Sequence, residues 1–120
     1  MKASAVLKNA RTELGNIIIT NLRKLVGFEQ TGKKNLMAEA GDMEIDTTKF
    51  AKTPYIDVEV LDTYGLDFET YADREVVTKI GIEMGDIYVV TDKDTYAESE
   101  LSLENLARIA DSIAEEYEAR

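Results

Sequence analysis

The stretch Val76-Val77-Thr78-Lys79-Ile80-Gly81-Ile82-Glu83-Met84-Gly85-Asp86-Ile87-Tyr88-Val89-Val90-Thr91-Asp92 decides the fold. Apolar residues recur at every second position on both sides of Gly85-Asp86, and that dipeptide suits a two-residue turn of the primed type. The pattern predicts an antiparallel hairpin that pairs Met84 with Ile87, Ile82 with Val89 and Ile80 with Thr91, all on one face. The opposite face pairs Glu83 with Tyr88, Gly81 with Val90 and Lys79 with Asp92, the last a cross-strand pair of opposite charge. A face bearing Ile80, Ile82 and Val89 must be covered. Residues 102–118 supply the cover: Leu103, Leu106, Ile109, Ala110, Ile113, Ala114 and Tyr117 recur at helical spacing behind Ser102, a helix N-cap. Glu104 sits in the first turn of that helix and four residues before Arg108, a favourable spacing for an ion pair.

Working upstream, Ile56, Val58 and Val60 alternate with Asp57 and Glu59, which predicts a strand with one wet face. A turn at Thr63-Tyr64-Gly65 would close a first hairpin over 55–72. It would pair Val60 with Phe68, Val58 with Thr70, and Glu59 with Glu69, a like-charge contact. Before it, residues 29–54 are irregular. Asp42 to Asp46 alternates acid with apolar, as an edge strand does, and Thr47 to Lys52 reads as a helical turn capped by Asp46. Pro54, the only proline, marks a corner.

Residues 3–26 read as helix, with Ala3, Leu7, Ala10, Leu14, Ile17, Ile18 and Leu25 on one side, a kink near Gly15, and Gly27 as the stop. The expected architecture is therefore α+β: an N-terminal helix, an irregular segment, a four-stranded antiparallel meander, and a C-terminal amphipathic helix packed on the sheet. The 120 residues form a single domain, divided into a basic helical segment (1–28), an irregular and edge segment (29–54), two β-hairpins (55–92) and the C-terminal helix (102–118).

The chain has no cysteine and no histidine, which excludes disulfide scaffolds, thiol nucleophiles, Cys/His zinc sites and imidazole-based triads. Its apolar runs are short, as at Ile17-Ile18-Ile19, so neither a membrane span nor a signal peptide is expected, and the reading is cytoplasmic. The net charge of −10 is unevenly spread: residues 1–34 carry +5 and residues 35–120 carry −15. A basic helix lying on an acidic body accounts for this asymmetry. An acidic surface that steers a basic partner does so equally well. Direct nucleic-acid binding is not expected of a body at −15.

Two motifs fail on inspection. Gly27 to Lys34 spells G-x-x-x-x-G-K-K, but Lys34 stands where a phosphate-binding loop needs a magnesium-ligating hydroxyl. Asp42-x-Glu44-x-Asp46 opens like a calcium loop but has Thr47 at the glycine position and Thr53 at the glutamate position. Neither implies a cofactor or metal, and no catalytic residues are assigned.

The candidate partner-binding residues are Asp57, Glu59, Asp67 and Glu69, which share one face of the first hairpin, with Tyr71 and Tyr88 pointing away from the core beside them. Tyrosine among carboxylates suits an arginine-rich surface, through stacking and ion pairing. The function expected is a small, acidic, non-enzymatic protein-binding or regulatory domain. A sharper form is an inhibitor that imitates nucleic acid; in size and charge the chain resembles the small acidic anti-defence proteins of phages and mobile elements. Two alternatives differ in class. One is a structural subunit that self-associates through the N-terminal helix. The other is a metal-dependent hydrolase built on the carboxylates.

Overall fold

The computed structural model describes the backbone of residues 3–61 and 70–120, and the side chains of 10–59 and 71–120. The first helix, α1 (Ala3–Thr31), is continuous over 29 residues. Its core face is Ile18, Leu22 and Leu25, each 0% exposed. Ile17, expected on that stripe, is turned outward. Gly27 does not end the helix. The returning chain at 36–38 lies so close to it that a Cβ at Gly27 would stand 1.8 Å from the Leu36 carbonyl oxygen. This glycine is present for close approach, and the stop falls to Gly32, whose φ of 71° is the left-handed conformation of a helix C-terminus. Its N–H closes on the Phe28 carbonyl at 2.7 Å.

The basic residues of α1 hold the helix to its own chain. Arg11 donates to the carbonyls of Leu101 and Glu98 at 2.8 and 2.6 Å, and Arg23 donates to that of Ala38 at 2.9 Å. At the other end Glu29 pairs with Arg120 at 2.8 Å.

A return segment leads to β1 (Met43–Asp46) and a 3-10 turn at Thr47–Lys49. As expected, Asp46 caps this turn, accepting from the Thr48 hydroxyl and N–H, and those bonds hold its carboxyl below the usual carboxylate range. Then come β2 (Tyr55–Leu61), β3 (Thr70–Glu83), β4 (Asp86–Thr91) and β5 (Thr95–Ala97). All pairings are antiparallel, in the order β1-β3-β4-β5, with β2 also on β3. β1 pairs residues 79–82 of β3 and β2 pairs residues 70–76. Between them, Thr47 donates its hydroxyl to the Val77 carbonyl and Val77 donates its N–H to the Pro54 carbonyl. β1 and β2 thus lie end to end along one edge of β3, with Pro54 at the corner between them.

Both hairpin registers differ from expectation. In the second, Ile82 faces Ile87, Gly81 faces Tyr88 and Ile80 faces Val89. The turn residues are Met84 and Gly85, both at positive φ (50° and 84°), the type I′ requirement, and not Gly85-Asp86. The slip is by two, so strand faces are preserved: Ile80, Ile82, Ile87 and Val89 are all buried. Met84, expected in the core, is 88% exposed. Lys79 faces Val90 and pairs with Glu44, and Asp92 accepts from the Val76 N–H.

A bulge at Thr78 separates the Val77–Thr91 and Lys79–Val90 pairs. It resets the alternation, which is why Glu75 and Val77 share the buried side with Ile80 and Ile82.

In the first hairpin Val60 faces Tyr71, Val58 faces Asp73 and Glu59 faces Ala72. The like-charge Glu59–Glu69 pair is therefore not formed. This slip is odd, so it exchanges the faces of β3 relative to β2, and Tyr71 shares a face with Ile56, Val58 and Glu75. The expected turn at 63–65, with Asp67 and Glu69, lies outside the described residues. The two middle strands of the expected four are one continuous strand, β3, so 55–92 forms three strands, and β1 and the unexpected β5 complete the sheet.

The last element is α2 (Leu103–Ala119), capped as expected by Ser102, whose hydroxyl accepts from the Asn105 N–H. Leu106, Ile109 and Ile113 are each 0% exposed and join α1 and the sheet in one core with Ile56, Val77 and Ile80. The fold is α+β, with both helices contributing to the core that covers the sheet. Among the described residues no helix is long and apolar enough to cross a membrane.

The Met84 turn yields a stability test. A long side chain at left-handed φ is strained, whereas asparagine tolerates that conformation and Asn-Gly is the preferred type I′ pair. Met84→Asn is expected to raise unfolding free energy by about 1 kcal/mol, read by urea denaturation. An unchanged or lower midpoint would place the bend elsewhere.

Candidate functional site

The direction of each β2 backbone group follows from the register. Val77 bonds Pro54, so even-numbered residues of β2 face β3 and odd-numbered residues turn their N–H and C=O away from it. Asp57 is such a residue, and α2 meets it. Asn105, 5% exposed, accepts from the Asp57 N–H through Oδ1 at 3.0 Å and donates through Nδ2 to the Asp57 carbonyl at 2.8 Å. One amide side chain thereby makes the two bonds that a neighbouring strand would make. Asn105 is held in turn by Arg108, which donates to Oδ1 at 2.8 Å.

The Asp57 carboxylate lies between Arg74 and Arg108, at 3.4 and 3.6 Å. The same two guanidinium groups stand over the Tyr55 ring, 3.7 and 4.4 Å from its centre, in cation–π contact. Arg108 also reaches Glu104 at 3.4 Å. Asp57 is thus largely neutralised by its neighbours.

Beyond Asn105 the β2 edge opens into a groove of about 700 Å³. Its carboxylates are Asp57 and Glu59 from β2, Glu100 from the 3-10 turn before α2, and Glu104 from the first turn of α2. Glu59 forms no ion pair among the described residues and is exposed. The Glu100 carboxylate accepts from the Ala97 N–H at 2.9 Å, which fixes its position. Val58, Leu101 and Tyr96 line the apolar part of the groove.

Tyr96 is anchored from below. It donates to Glu75, a carboxylate 5% exposed, which also accepts from the Thr91 hydroxyl at 2.7 Å. Burial, then the bond to Glu75, pushes the Tyr96 phenol up to about 12.

Of the six candidate residues, the structure brings Asp57 and Glu59 together in this groove. Tyr71 lies on β3, more than half exposed, and is not among the lining residues. Tyr88 belongs to a different surface: it lies against Gly81 in β3 and donates to Glu44 on β1. Burial, then that bond, raises its phenol to about 12. Asp67 and Glu69 lie outside the described residues. Among those described, no group of three carboxylates is close enough to hold a metal ion.

Sequence reasoning missed Asn105, Glu100 and Glu104 as groove residues. Asn105 carried a signal, being a polar residue next to Leu106 on the inward side of an otherwise apolar stripe. Comparison with family models, curated proteins and solved structures gives no match for this chain.

Proposed function

We propose that the chain is a non-enzymatic binding protein that seats a basic partner protein in the groove between β2 and the start of α2. The carrying observation is the convergence of Glu59, Glu100 and Glu104 from three elements, beside the ion-paired Asp57, in a chain whose net charge is −10. Arg108 offsets part of that charge at one end, so the negative potential is concentrated toward Glu59 and Glu100. Long-range attraction would steer a cationic partner and the groove would set where it lands. A nucleic-acid-binding protein is the partner class such a surface fits, because spaced carboxylates offer a basic surface the charge it meets on a phosphate backbone. Of α1, Ile18, Leu22 and Leu25 are buried within the chain, so that part of the helix is not free for assembly, which favours this reading.

The test uses octa-arginine as a cationic probe. Wild type, Glu59→Lys/Glu104→Lys and Glu13→Lys/Glu118→Lys are compared by calorimetry at low salt. Both doubles change net charge equally, so a nonspecific field would weaken binding equally. The groove double is expected to lose about tenfold more affinity than the control double, equivalent to about 1.4 kcal/mol. Equal losses would remove the groove as the seat.

A further inference from the structure

We infer that the edge of β2 left open at Glu59 among the described residues takes an extended partner segment as an added strand, one that alternates basic with apolar residues. The inference rests on the acidic-groove reading and specifies how the partner is held. Odd-numbered residues of β2 direct their N–H and C=O away from β3. At Asp57 both groups are satisfied by Asn105. At Glu59, two residues on, nothing among the described residues replaces that amide. The β2 edge is therefore closed by a strand-like contact on one side and open where the groove begins, and Glu59 and Ala72, a facing pair, both line that groove.

The chemistry of the occupant follows from the pleat. The residue set opposite Glu59 places its side chain on the Glu59 face, where a lysine or arginine would form a cross-strand pair of opposite charge. Its neighbours fall on the other face, that of Val58, with Leu101 and Tyr96 at the groove wall. An apolar–basic–apolar pattern fits this surface. An acidic segment is rejected by Glu59, Glu100 and Glu104 together. A helix or a folded basic surface could satisfy the charges but would leave the strand edge open.

The probe is an acetylated, amidated heptapeptide alternating valine with arginine. Two further versions carry backbone N-methyl groups at every second residue, in opposite phase. An added strand uses only the amides that face β2. One methylated phase is therefore expected to bind about tenfold or more weakly than the parent and the other about equally, with the Glu59 amide protected from hydrogen exchange in the complex. Equal binding by both phases with no protection at Glu59 would overturn strand addition while leaving the charged groove as the seat. No binding by any of the peptides at low salt would overturn both.

Discussion

Replacing Gly27 by alanine is expected to lower the unfolding free energy by about 3 kcal/mol, a fall in melting temperature of roughly 10 °C. Alanine in the middle of a helix ordinarily stabilises by about 1 kcal/mol relative to glycine, so the sign itself is informative. At Gly27 the new methyl would stand 1.8 Å from the Leu36 carbonyl oxygen and 2.8 Å from the Ala38 nitrogen. Both are backbone atoms, and they cannot rotate away. Relief requires the 36–38 segment to lift from α1, breaking the bond from the Ala38 N–H to the Arg23 carbonyl and that from the Arg23 guanidinium to the Ala38 carbonyl. Gly15 is the matched control. A methyl there meets only the end of the Glu98 side chain, at 2.8 Å, which can swing aside. Gly15→Ala is expected to leave stability within about 1 kcal/mol of wild type, or to raise it. Equal effects at the two positions would mean that the return segment is not seated on the helix.

Asn105→Ala is expected to cost about 3 kcal/mol, with the loss centred on the β2 edge. The substitution removes both partners of the Asp57 backbone and one acceptor of Arg108. Half-buried amide and carbonyl groups left without partners are what make such a change costly, more than the loss of favourable contact. Asn105→Asp separates the contributions. A carboxylate still accepts from the Asp57 N–H and from Arg108, but it sets an anionic oxygen where the donor to the Asp57 carbonyl stood, so a loss at least as large as that of alanine is expected. Urea denaturation with an unchanged m-value measures both. A cost below about 0.5 kcal/mol for Asn105→Ala, the range of an ordinary surface change, would show that Asn105 does not close the edge.

What could be read from the sequence follows the same physics. The core face of the second hairpin was legible because its error was a slip by two, which leaves Ile80, Ile82 and Val89 on the same side. The register was not legible, because it depends on which residues take positive φ. Glycine before aspartate and methionine before glycine compete for that role, and a methionine side chain gives no signal that its residue will take positive φ. The first hairpin erred by three, so the assigned face of Tyr71 was wrong as well. α2 was read nearly to the residue because a cap, a stripe and an opposite charged face all agreed. Gly27 was misread as a stop because its role depends on a segment ten residues away. The groove was half legible. Asp57 and Glu59 stand out on their strand, but Glu100 and Glu104 join them only through the docking of α2 against β2, which no local pattern encodes.

The β2 edge is closed at Asp57 and, among the described residues, open at Glu59, in the middle of the acidic groove. Native-state amide hydrogen exchange of the free protein, followed by NMR, tests it directly. The Asp57 amide is expected to be protected by its bond to Asn105, and the Glu59 amide to exchange about 100-fold faster or more, after correction for intrinsic rates. Protection of Glu59 equal to that of Asp57 would show the edge already occupied within the chain and would rule out an added strand there.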